Sequence, residues 1–367
     1  MNLKRIIIVS SEFPPQPGGI GNHAFNLAKY LQQNGFNIKV ISDNRSRNGE
    51  VEKRFDEDLP FSVHRVNKRR IRLRMYFRRI QLLFRHIKTS EVVIASGKFS
   101  LWIVAFCGLF YNRHYIAIIH GSEVNYKSKP LKFSIDISIK RFSKIIAVSH
   151  YTKSLLDHLN LNNIIIIPNG FDFGKWSSKQ MKCIALKGNP KLITVGNITE
   201  RKGQLHVIKH LPELLNVFPD LHYHCVGIPT ESKRFIKIAK DLQVSEHVTF
   251  HGQVDDNLLQ QLLVTSDVFI MLSNETLTGD VEGFGIAILE ANALGVPAIG
   301  SIGCGIEDAI DQNTSGMLIK YDDSQALIHT LKTILDNKVQ FSKQAKDWAE
   351  AHDWNLIVKQ YIHAMNL

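Results

Sequence analysis

Residues 5–35 read RIIIVSSEFPPQPGGIGNHAFNLAKYLQQNG. The apolar run Arg5–Val9 predicts a buried β-strand, and the amphipathic run Ala24–Asn34 predicts a helix after it. Residues 19–24 fit the pattern G-x-G-x-x-G/A of a dinucleotide-binding turn. In such a turn the first glycine directly follows the strand, whereas here the proline-rich segment Ser10–Gly18 intervenes. The stretch therefore predicts a strand–loop–helix unit of a parallel sheet, and its loop length argues against an NAD-binding turn.

The same alternation of short apolar runs and helical patterns continues along the whole chain, as in parallel-sheet proteins. Further strand candidates in the first half are Asn37–Ser42, Val92–Ala95, Tyr115–Ile119, Lys144–Val148 and Ile164–Pro168. A second series begins with KLITVGN at 191 and continues through HYHCVGI, VTFHGQ, VFIMLS, PAIGS and GMLIK. The sequence thus predicts an α/β protein with domains at 1–176 and 191–350, a linker at 177–190, and a final helix at 351–367.

Composition indicates an ordinary globular protein of 367 residues, of which 44% are hydrophobic and 22% are charged. The four cysteines form no C-x-x-C pair, so we expect reduced, mostly buried thiols in a cytosolic protein and no structural zinc. The apolar start of the chain is too short for a signal peptide. The run Leu101–Tyr111 is about half the length of a membrane span, so it predicts a buried helix.

The net charge of +11 is unevenly distributed, because residues 59–90 contain ten Lys or Arg and no Asp or Glu. Large apolar residues interrupt this basic segment. A solvated helix face and a nucleic-acid patch are alternatives, but no recognised nucleic-acid-binding module accompanies the segment. We favour a basic amphipathic segment on an anionic membrane, where each Lys or Arg contributes about 1 kcal/mol. The predicted membrane or acceptor-lipid contacts are Arg69, Arg70, Arg72, Arg74, Arg78 and Arg79.

Two glutamates in EGFGIAILEANALGVPAIGS (282–301) carry the strongest chemical signal. Glu282 and Glu290 are eight residues apart, with Glu282 in a loop and Glu290 inside a helix predicted over Ile286–Leu294. At about 100° per residue, eight positions bring a side chain within about 80° of its starting direction, so both carboxylates can border one site. The residues Gly283, Phe284 and Gly285 expose backbone N–H groups at the helix start, which favours an anion. A phosphate at the helix start and a carboxylate that accepts from vicinal hydroxyls would suit a sugar nucleotide.

The E-x7-E segment resembles the signature of the GT4-type retaining glycosyltransferases, which have the GT-B fold. Further segments agree with that family in order and spacing: PGGIGNHAFNLAKYL, HGSEV, IIAVSHYTKSLL, IIPNGFD, VGNITERKG, FHGQVDD, SDVFIMLSN and GCGIEDAIDQNTSGMLI. The resemblance covers nearly the whole chain. It implies two Rossmann-like domains facing across a cleft, with the terminal DWNLIVKQYIHAM helix crossing back to the first domain.

The resemblance also implies roles for individual residues. Arg201 and Lys202 in TERKG match the basic pair that neutralises the donor diphosphate, although many relatives carry Arg where this chain has Asn197. Glu290 matches the glutamate that binds the ribose hydroxyls, and Glu282 the one near the transferred sugar. The remaining matches are Gly18 and Gly19 at the donor phosphates, His120 beside donor sugar and acceptor, and Val254 at the nucleobase.

The implied reaction needs no metal and no cofactor. A hexose, with mannose as the first choice, moves with retention from GDP-mannose or a UDP-hexose to a hydroxyl of a lipid-linked or envelope saccharide. The enzyme is expected to be cytoplasmic and peripherally attached to the inner face of the plasma membrane. A sugar-nucleotide epimerase of the same fold, a nicotinamide-dependent oxidoreductase with Asp43 as the ribose contact, and a nucleic-acid binder are the alternatives.

Overall fold

The computed structural model describes residues 4–16, 18–46, 48–67, 72–177 and 182–365. The strands are β1 (Arg5–Ser10), β2 (Asn37–Asp43), β3 (Ser62–Val66), β4 (Val92–Ser96), β5 (His114–Ile119), β6 (Lys144–Ala147), β7 (Ile164–Ile166), β8 (Lys191–Val195), β9 (His222–Val226), β10 (Val248–Gly252), β11 (Val268–Met271), β12 (Ala298–Ser301) and β13 (Gly316–Ile319). The helices are α1 (Gly19–Gln33), α2 (Glu50–Glu57), α3 (Arg72–Ile87), α4 (Lys98–Cys107), α5 (Lys129–Ile139), α6 (His150–Ser154), α7 (Phe173–Ser177), α8 (Gln204–Val217), α9 (Ser232–Asp241), α10 (Asp256–Thr265), α11 (Ile286–Ala293), α12 (Ser324–Asp336), α13 (Lys338–Glu350) and α14 (Trp354–Ala364).

The chain forms two compact units, each built on its own parallel sheet. Unit 1 comprises Met1–Gly170 and Trp354–Leu367, and unit 2 comprises Phe171–Asp353. Unit 2 begins at Phe171, so its range includes the predicted linker at 177–190, and the last segment of unit 1 begins at Trp354, close to the predicted 351. Within unit 1, α14 packs on α1, and Trp354 and Tyr361 of α14 are buried.

Unit 1 contains a seven-stranded sheet in the order β3-β2-β1-β4-β5-β6-β7. The central strands are apolar throughout, as expected for parallel strands that helices cover on both faces; Ile6–Val9 of β1 are at most 1% exposed. The strand order reverses between β1 and β4, and in open α/β sheets ligands bind at the carboxyl ends of strands beside such a reversal.

Unit 2 contains a six-stranded sheet in the order β10-β9-β8-β11-β12-β13, and its order reverses between β8 and β11. All six strand candidates from 191 onward correspond to strands of this sheet. The loops that follow β8 and β11 carry the residues of the basic pair and of the E-x7-E segment, so the topology brings these two motifs to one place.

Two predictions about unit 1 were wrong. The strand β3 was not predicted, because it lies at the sheet edge and only Val66 of its five residues is buried, which removes the apolar signal. The first helix begins at Gly19 and not at Ala24, and Asn22 N donates to Gly18 O within its first turn. Glycines obscured the helical period there. The predicted buried helix near Leu101 exists as α4, although Phe106 on it is 45% exposed.

Candidate active site

The loop after β8 presents the basic pair Arg201 and Lys202 in a short 3₁₀ turn, Glu200–Lys202. Gly203 ends this turn with φ of 80° and precedes α8. A Cβ at this position would overlap the backbone of Leu272, just after β11. The left-handed conformation and the close approach both require glycine. The loop after β8 is therefore held directly against the end of β11.

The basic pair meets two carboxylates from the loop after β11. Lys202 Nζ lies 2.7 Å from Glu282 Oε2, and Arg201 Nη1 donates to the same oxygen. Arg201 Nε lies 3.1 Å from Asp280 Oδ2. Burial alone would raise the pKa of Glu282, but Lys202 and Arg201 outweigh it and lower the pKa to about 2. Glu282 is thus ionised at neutral pH, and the two cations are held in one place.

The start of α11 contains the predicted anion-binding turn, of which Gly283 is half-buried while Phe284 and Gly285 are buried. Gly285 precedes the helix, which begins at Ile286. Phe284 is 1% exposed as a whole residue, so its side chain packs into the interior of unit 2 and does not face a ligand. Gly305 N donates to Glu282 O at 2.9 Å, which fixes the loop that carries Gly283. Backbone N–H groups at a helix start bind phosphate well.

Glu290 lies inside α11, as predicted, and burial raises its pKa to about 7. Lys175 lowers the pKa of this carboxyl and Asp256 raises it, and these two residues form an ion pair at 2.7 Å. Lys202 lowers the pKa of Glu290 and also that of Glu282, so both glutamates of the motif lie near the same cation. Val254 is half-buried in the loop between β10 and α10.

His120 follows β5 in unit 1, and three contacts hold it. His120 Nε2 lies 3.0 Å from Ser96 Oγ, and the backbone N of His120 donates to Glu123 Oε1. The ring of His23 is 4.9 Å from that of His120 in an edge-to-face arrangement. Burial lowers the pKa of His120 to about 4, so the ring is neutral at neutral pH.

Three of these partners were not predicted as site residues. His23 reaches His120 from α1 and is itself bonded to Tyr361 Oη through Nε2 at 2.9 Å. A lone histidine in a helical pattern gave no signal. Ser96 is the last residue of β4, which neighbours β5, and only the strand order reveals that proximity. Glu123 was visible within HGSE, and its position three residues after His120 is the one signal that was available.

The two glycines predicted at the donor phosphates differ in their surroundings. Gly19 is exposed, with open space where a Cβ would stand. Gly18 lies against the carboxylate of Glu12, which in turn pairs with Arg45 at 2.9 Å. A carboxylate of the chain itself therefore lies beside the start of α1.

The basic segment separates into exposed and buried arginines. Arg74 and Arg78 are exposed on α3, next to Leu73 and Phe77, which are 80% and 62% exposed. Arg69 and Arg70 lie outside the described residues, as does the side chain of Arg72.

The assignment of Arg79 to the membrane was wrong. Arg79 is 5% exposed and holds Asp43 through two hydrogen bonds, with Nε to Oδ1 at 2.9 Å, and its guanidinium lies 3.6 Å from the ring centre of Phe99. Asp43, which the oxidoreductase hypothesis requires as the ribose contact, is thus already paired with Arg79.

The described residues contain no group of three or more His, Cys, Asp or Glu side chains arranged to hold a metal ion. Within the same part of the chain, no helix has both the length and the apolar character needed to cross a bilayer. All four cysteines are free, and Cys183 alone among them is exposed.

Comparison with known proteins covers nearly the whole chain. The family model described as Glycosyltransferase Family 4 matches residues 17–175, and the one described as Glycosyl transferases group 1 matches residues 178–352. A GDP-mannose-dependent alpha-(1-6)-phosphatidylinositol monomannoside mannosyltransferase of Mycobacterium tuberculosis is 23% identical over 95% of this chain and 94% of its own. The putative colanic acid biosynthesis glycosyltransferase WcaL of Escherichia coli is 28% identical over 51% of this chain and 46% of its own.

Solved structures resemble the whole chain. Sucrose-phosphate synthase of Thermosynechococcus elongatus has a TM-score of 0.81 at 17% identity, covering 99% of this chain and 98% of that one. Anabaena Alr3699/HepE, solved with UDP and glucose, has a TM-score of 0.78 at 17% identity, covering 99% of both chains. At this identity the likeness establishes the fold, two Rossmann-like units, which agrees with the prediction from the sequence.

Proposed function

Because this chain belongs to the GT4-type glycosyltransferases and has their GT-B fold, we propose that it moves a hexose from a nucleoside-diphosphate sugar to a saccharide hydroxyl. The observation that carries this proposal is the cluster of Arg201, Lys202, Glu282 and the start of α11. It combines cations and backbone donors for a diphosphate with a carboxylate for sugar hydroxyls. The protein is an enzyme, a hexosyltransferase.

We assign donor binding to unit 2. Arg201, Lys202 and the backbone of 283–285 would bind the diphosphate, while Glu290 would accept hydrogen bonds from the ribose hydroxyls. Val254 would contact the base through its backbone. The mannosyltransferase relatives use GDP-mannose, which makes GDP-mannose our first choice of donor and a UDP-hexose the second.

In the proposed reaction an acceptor hydroxyl oxygen attacks the anomeric carbon, and the bond from that carbon to the diphosphate oxygen breaks. Attack from the face that the diphosphate leaves retains the configuration, and the departing phosphate oxygen takes the proton of the acceptor. Arg201, Lys202 and the helix start would stabilise the charge that develops on the leaving group. His120 would contact the transferred sugar, and Gly18 and Gly19 would lie close to the phosphates.

The transfer reaction is tested with two variants, Lys202→Ala and Glu290→Ala. Loss of one charge-assisted contact to the leaving group is expected to lower kcat about 10²-fold or more for Lys202→Ala, and Glu290→Ala to raise KM for the donor. Lys240→Ala, an exposed residue of α9, is the matched control. Unimpaired turnover in both variants contradicts the proposal, and so would interconversion of sugar epimers without release of nucleoside diphosphate.

The donor is identified by thermal-shift screening against GDP, UDP, ADP and their sugars. A ligand at 100 times its Kd adds about 2.7 kcal/mol of stability, which gives a measurable increase in Tm. A stabilising effect of GDP-mannose that exceeds that of UDP-glucose would support the first choice of donor, and the reverse order would replace it.

For the acceptor we propose a lipid-linked or envelope saccharide, with the enzyme bound peripherally to an anionic membrane surface. The exposed Arg74 and Arg78 stand beside the exposed apolar side chains of Leu73 and Phe77, a combination that suits the headgroup region. The phosphatidylinositol monomannoside mannosyltransferase relative acts on a lipid substrate by name.

Flotation with phosphatidylglycerol-containing vesicles tests the membrane proposal. Changing Arg74, Arg78 and Arg85, all exposed on α3, to Gln is expected to weaken binding by about 3 kcal/mol, or more than about 100-fold. The matched control changes three exposed lysines of α9 to Gln, which removes the same charge from unit 2. Equal losses in both variants, or no loss in the first, would assign the binding to net charge or to another surface.

A further inference from the structure

The buried Ser96 hydroxyl and the half-buried His120 ring form a pair at the carboxyl ends of β4 and β5. From this geometry we propose that Ser96 holds His120 in the neutral tautomer with its proton on Nδ1, so that His120 acts on a substrate oxygen as a hydrogen-bond donor. Ser96 is in this account a positioning residue. The tautomer follows from the structure alone, and only the identity of the substrate oxygen rests on the proposed function.

A count of donors and acceptors decides the direction of this hydrogen bond. Ser96 is 0% exposed, and His120 Nε2, at 3.0 Å, is the partner of its hydroxyl in the described part of the chain. If Nε2 carried the proton, the hydroxyl hydrogen of Ser96 would be buried without an acceptor, which costs about 1–3 kcal/mol. If the hydroxyl donates to Nε2, every buried polar atom of the pair is satisfied.

Burial keeps His120 neutral, because it lowers the pKa of the ring to about 4. Burial also lowers the pKa of the neighbouring His23 of α1, and His120 lowers it further. The backbone N of His120 donates to Glu123 Oε1, and burial raises the pKa of Glu123 to about 7 although Lys98 lowers it. Tyr361 of α14 contacts the histidine pair through His23. His120 therefore carries one ring proton above about pH 5, and the Ser96 bond places it on Nδ1.

This state limits what His120 can do. The Nδ1 atom of His120 has no hydrogen-bond partner among the described residues. The protein does not fully enclose this atom either. An N–H group there can donate to a hydroxyl or glycosidic oxygen of a sugar. It cannot also accept a proton at the same nitrogen, and Nε2 is occupied by Ser96. Proton removal from the acceptor therefore falls to another group, in agreement with the leaving phosphate oxygen as the base.

The tautomer is measured directly on the full chain labelled with ¹⁵N-histidine. Long-range ¹H–¹⁵N correlation spectra distinguish a protonated from an unprotonated ring nitrogen, and comparison with His120→Gln assigns the signals. We expect Nδ1–H in the wild type and in Ser96→Thr, which keeps the hydroxyl, and a mixture of tautomers in Ser96→Ala. An Nε2–H wild type, or a Ser96→Ala spectrum that equals the wild type, overturns the proposal.

Kinetics test the functional half of the proposal. The probe is GDP-mannose, or UDP-glucose if screening selects it, and release of nucleoside diphosphate with water as acceptor is followed. Ser96→Ala should lower kcat about tenfold to a hundredfold with little change in KM, and Ser96→Thr should restore most of it. Ser100→Ala removes another fully buried hydroxyl, one without a partner, and should leave kcat unchanged.

The outcomes for His120 separate the two proposals. An Nδ1–H tautomer together with full activity of His120→Ala would overturn the donor role of His120, while donor binding by unit 2 would stand. If Lys202→Ala loses activity and the wild-type protein carries the His120 proton on Nε2, the transferase proposal is supported and the role of Ser96 is overturned.

Discussion

If Glu290 binds the ribose hydroxyls as proposed, its ionisation makes donor binding depend on pH in a direction that can be predicted. Burial raises the pKa of Glu290 to about 7. An ionised carboxylate accepts hydrogen bonds from both ribose hydroxyls, whereas the protonated form loses part of this acceptor capacity. Binding therefore favours the ionised form, so affinity rises as the pH rises through 7 and levels off above it.

The magnitude follows from the fraction of ionised carboxylate. With a pKa of about 7, about half of Glu290 is ionised at pH 7 and about 1% at pH 5. If only the ionised form binds, Kd at pH 5 is about 50-fold weaker than at pH 7, or about 2 kcal/mol. The same linkage predicts release of up to about half a proton per bound ligand near pH 7.

Isothermal titration calorimetry from pH 5 to 8 measures both quantities. The ligand should be GDP-mannose or UDP-glucose and not a free nucleoside diphosphate, because the terminal phosphate of the latter titrates near pH 6. Titration in phosphate and in Tris buffers, which differ in ionisation heat, gives the number of protons released.

Two variants isolate Glu290 from the other titrating groups. Glu290→Gln should bind more weakly and without this pH dependence, whereas Glu246→Gln, an exposed residue of the same unit, should retain the wild-type profile. A Kd that is constant from pH 5 to 8 in the wild type would refute the reasoning, as would uptake of a proton on binding.

Three further predictions concern the stability and reactivity of the chain. Arg79→Ala should lower the free energy of unfolding in urea by about 3–5 kcal/mol, because it leaves Asp43 buried without its partner. The control Arg78→Ala should change this free energy by no more than about 0.5 kcal/mol. Similar values for the two variants would contradict the structural role of Arg79. Gly203→Ala should destabilise by more than about 1 kcal/mol in the same assay, since φ is +80° and the new methyl meets backbone, and a stabilised variant would disprove that conformation. Maleimide labelling followed by mass spectrometry should modify Cys183 in the native protein and the other cysteines only after unfolding.

Local patterns were sufficient for most of the fold. Strands such as β1 and β11 are apolar at nearly every position, because parallel strands between two helical layers have no solvent face, and they were predicted without knowledge of their neighbours. The edge strand β3 lacks this signal, since solvent and a single neighbouring strand leave most of its residues half-buried. The early start of α1 was missed for a different reason, because glycine carries no amphipathic information.

The site was predictable in its motifs and not in its pairings. Arg201, Lys202 and Glu282 belong to short segments that resemble family motifs, so they were selected as site candidates without knowledge of the fold. The partners Ser96 and Asp280 became apparent only when the strand order brought separate loops together. Arg79 illustrates the same limit, since its neighbours in sequence are exposed cations while its own side chain binds Asp43 across 36 positions.

The charge state of Glu282 restricts the mechanism further than its position does. A carboxyl with a pKa of about 2 has no proton to give at neutral pH, so Glu282 cannot be a general acid. Its ion pairs with Lys202 and Arg201 also reduce its strength as a nucleophile. What remains is acceptance of hydrogen bonds from sugar hydroxyls while it holds the two cations. Arg201 pairs with Asp280 through Nε and with Glu282 through Nη1, so donation from Nη2 to the diphosphate would leave both pairs intact. In the proposed reaction, catalysis at this site would therefore depend on stabilising the leaving group, and the phosphate would take the proton of the acceptor.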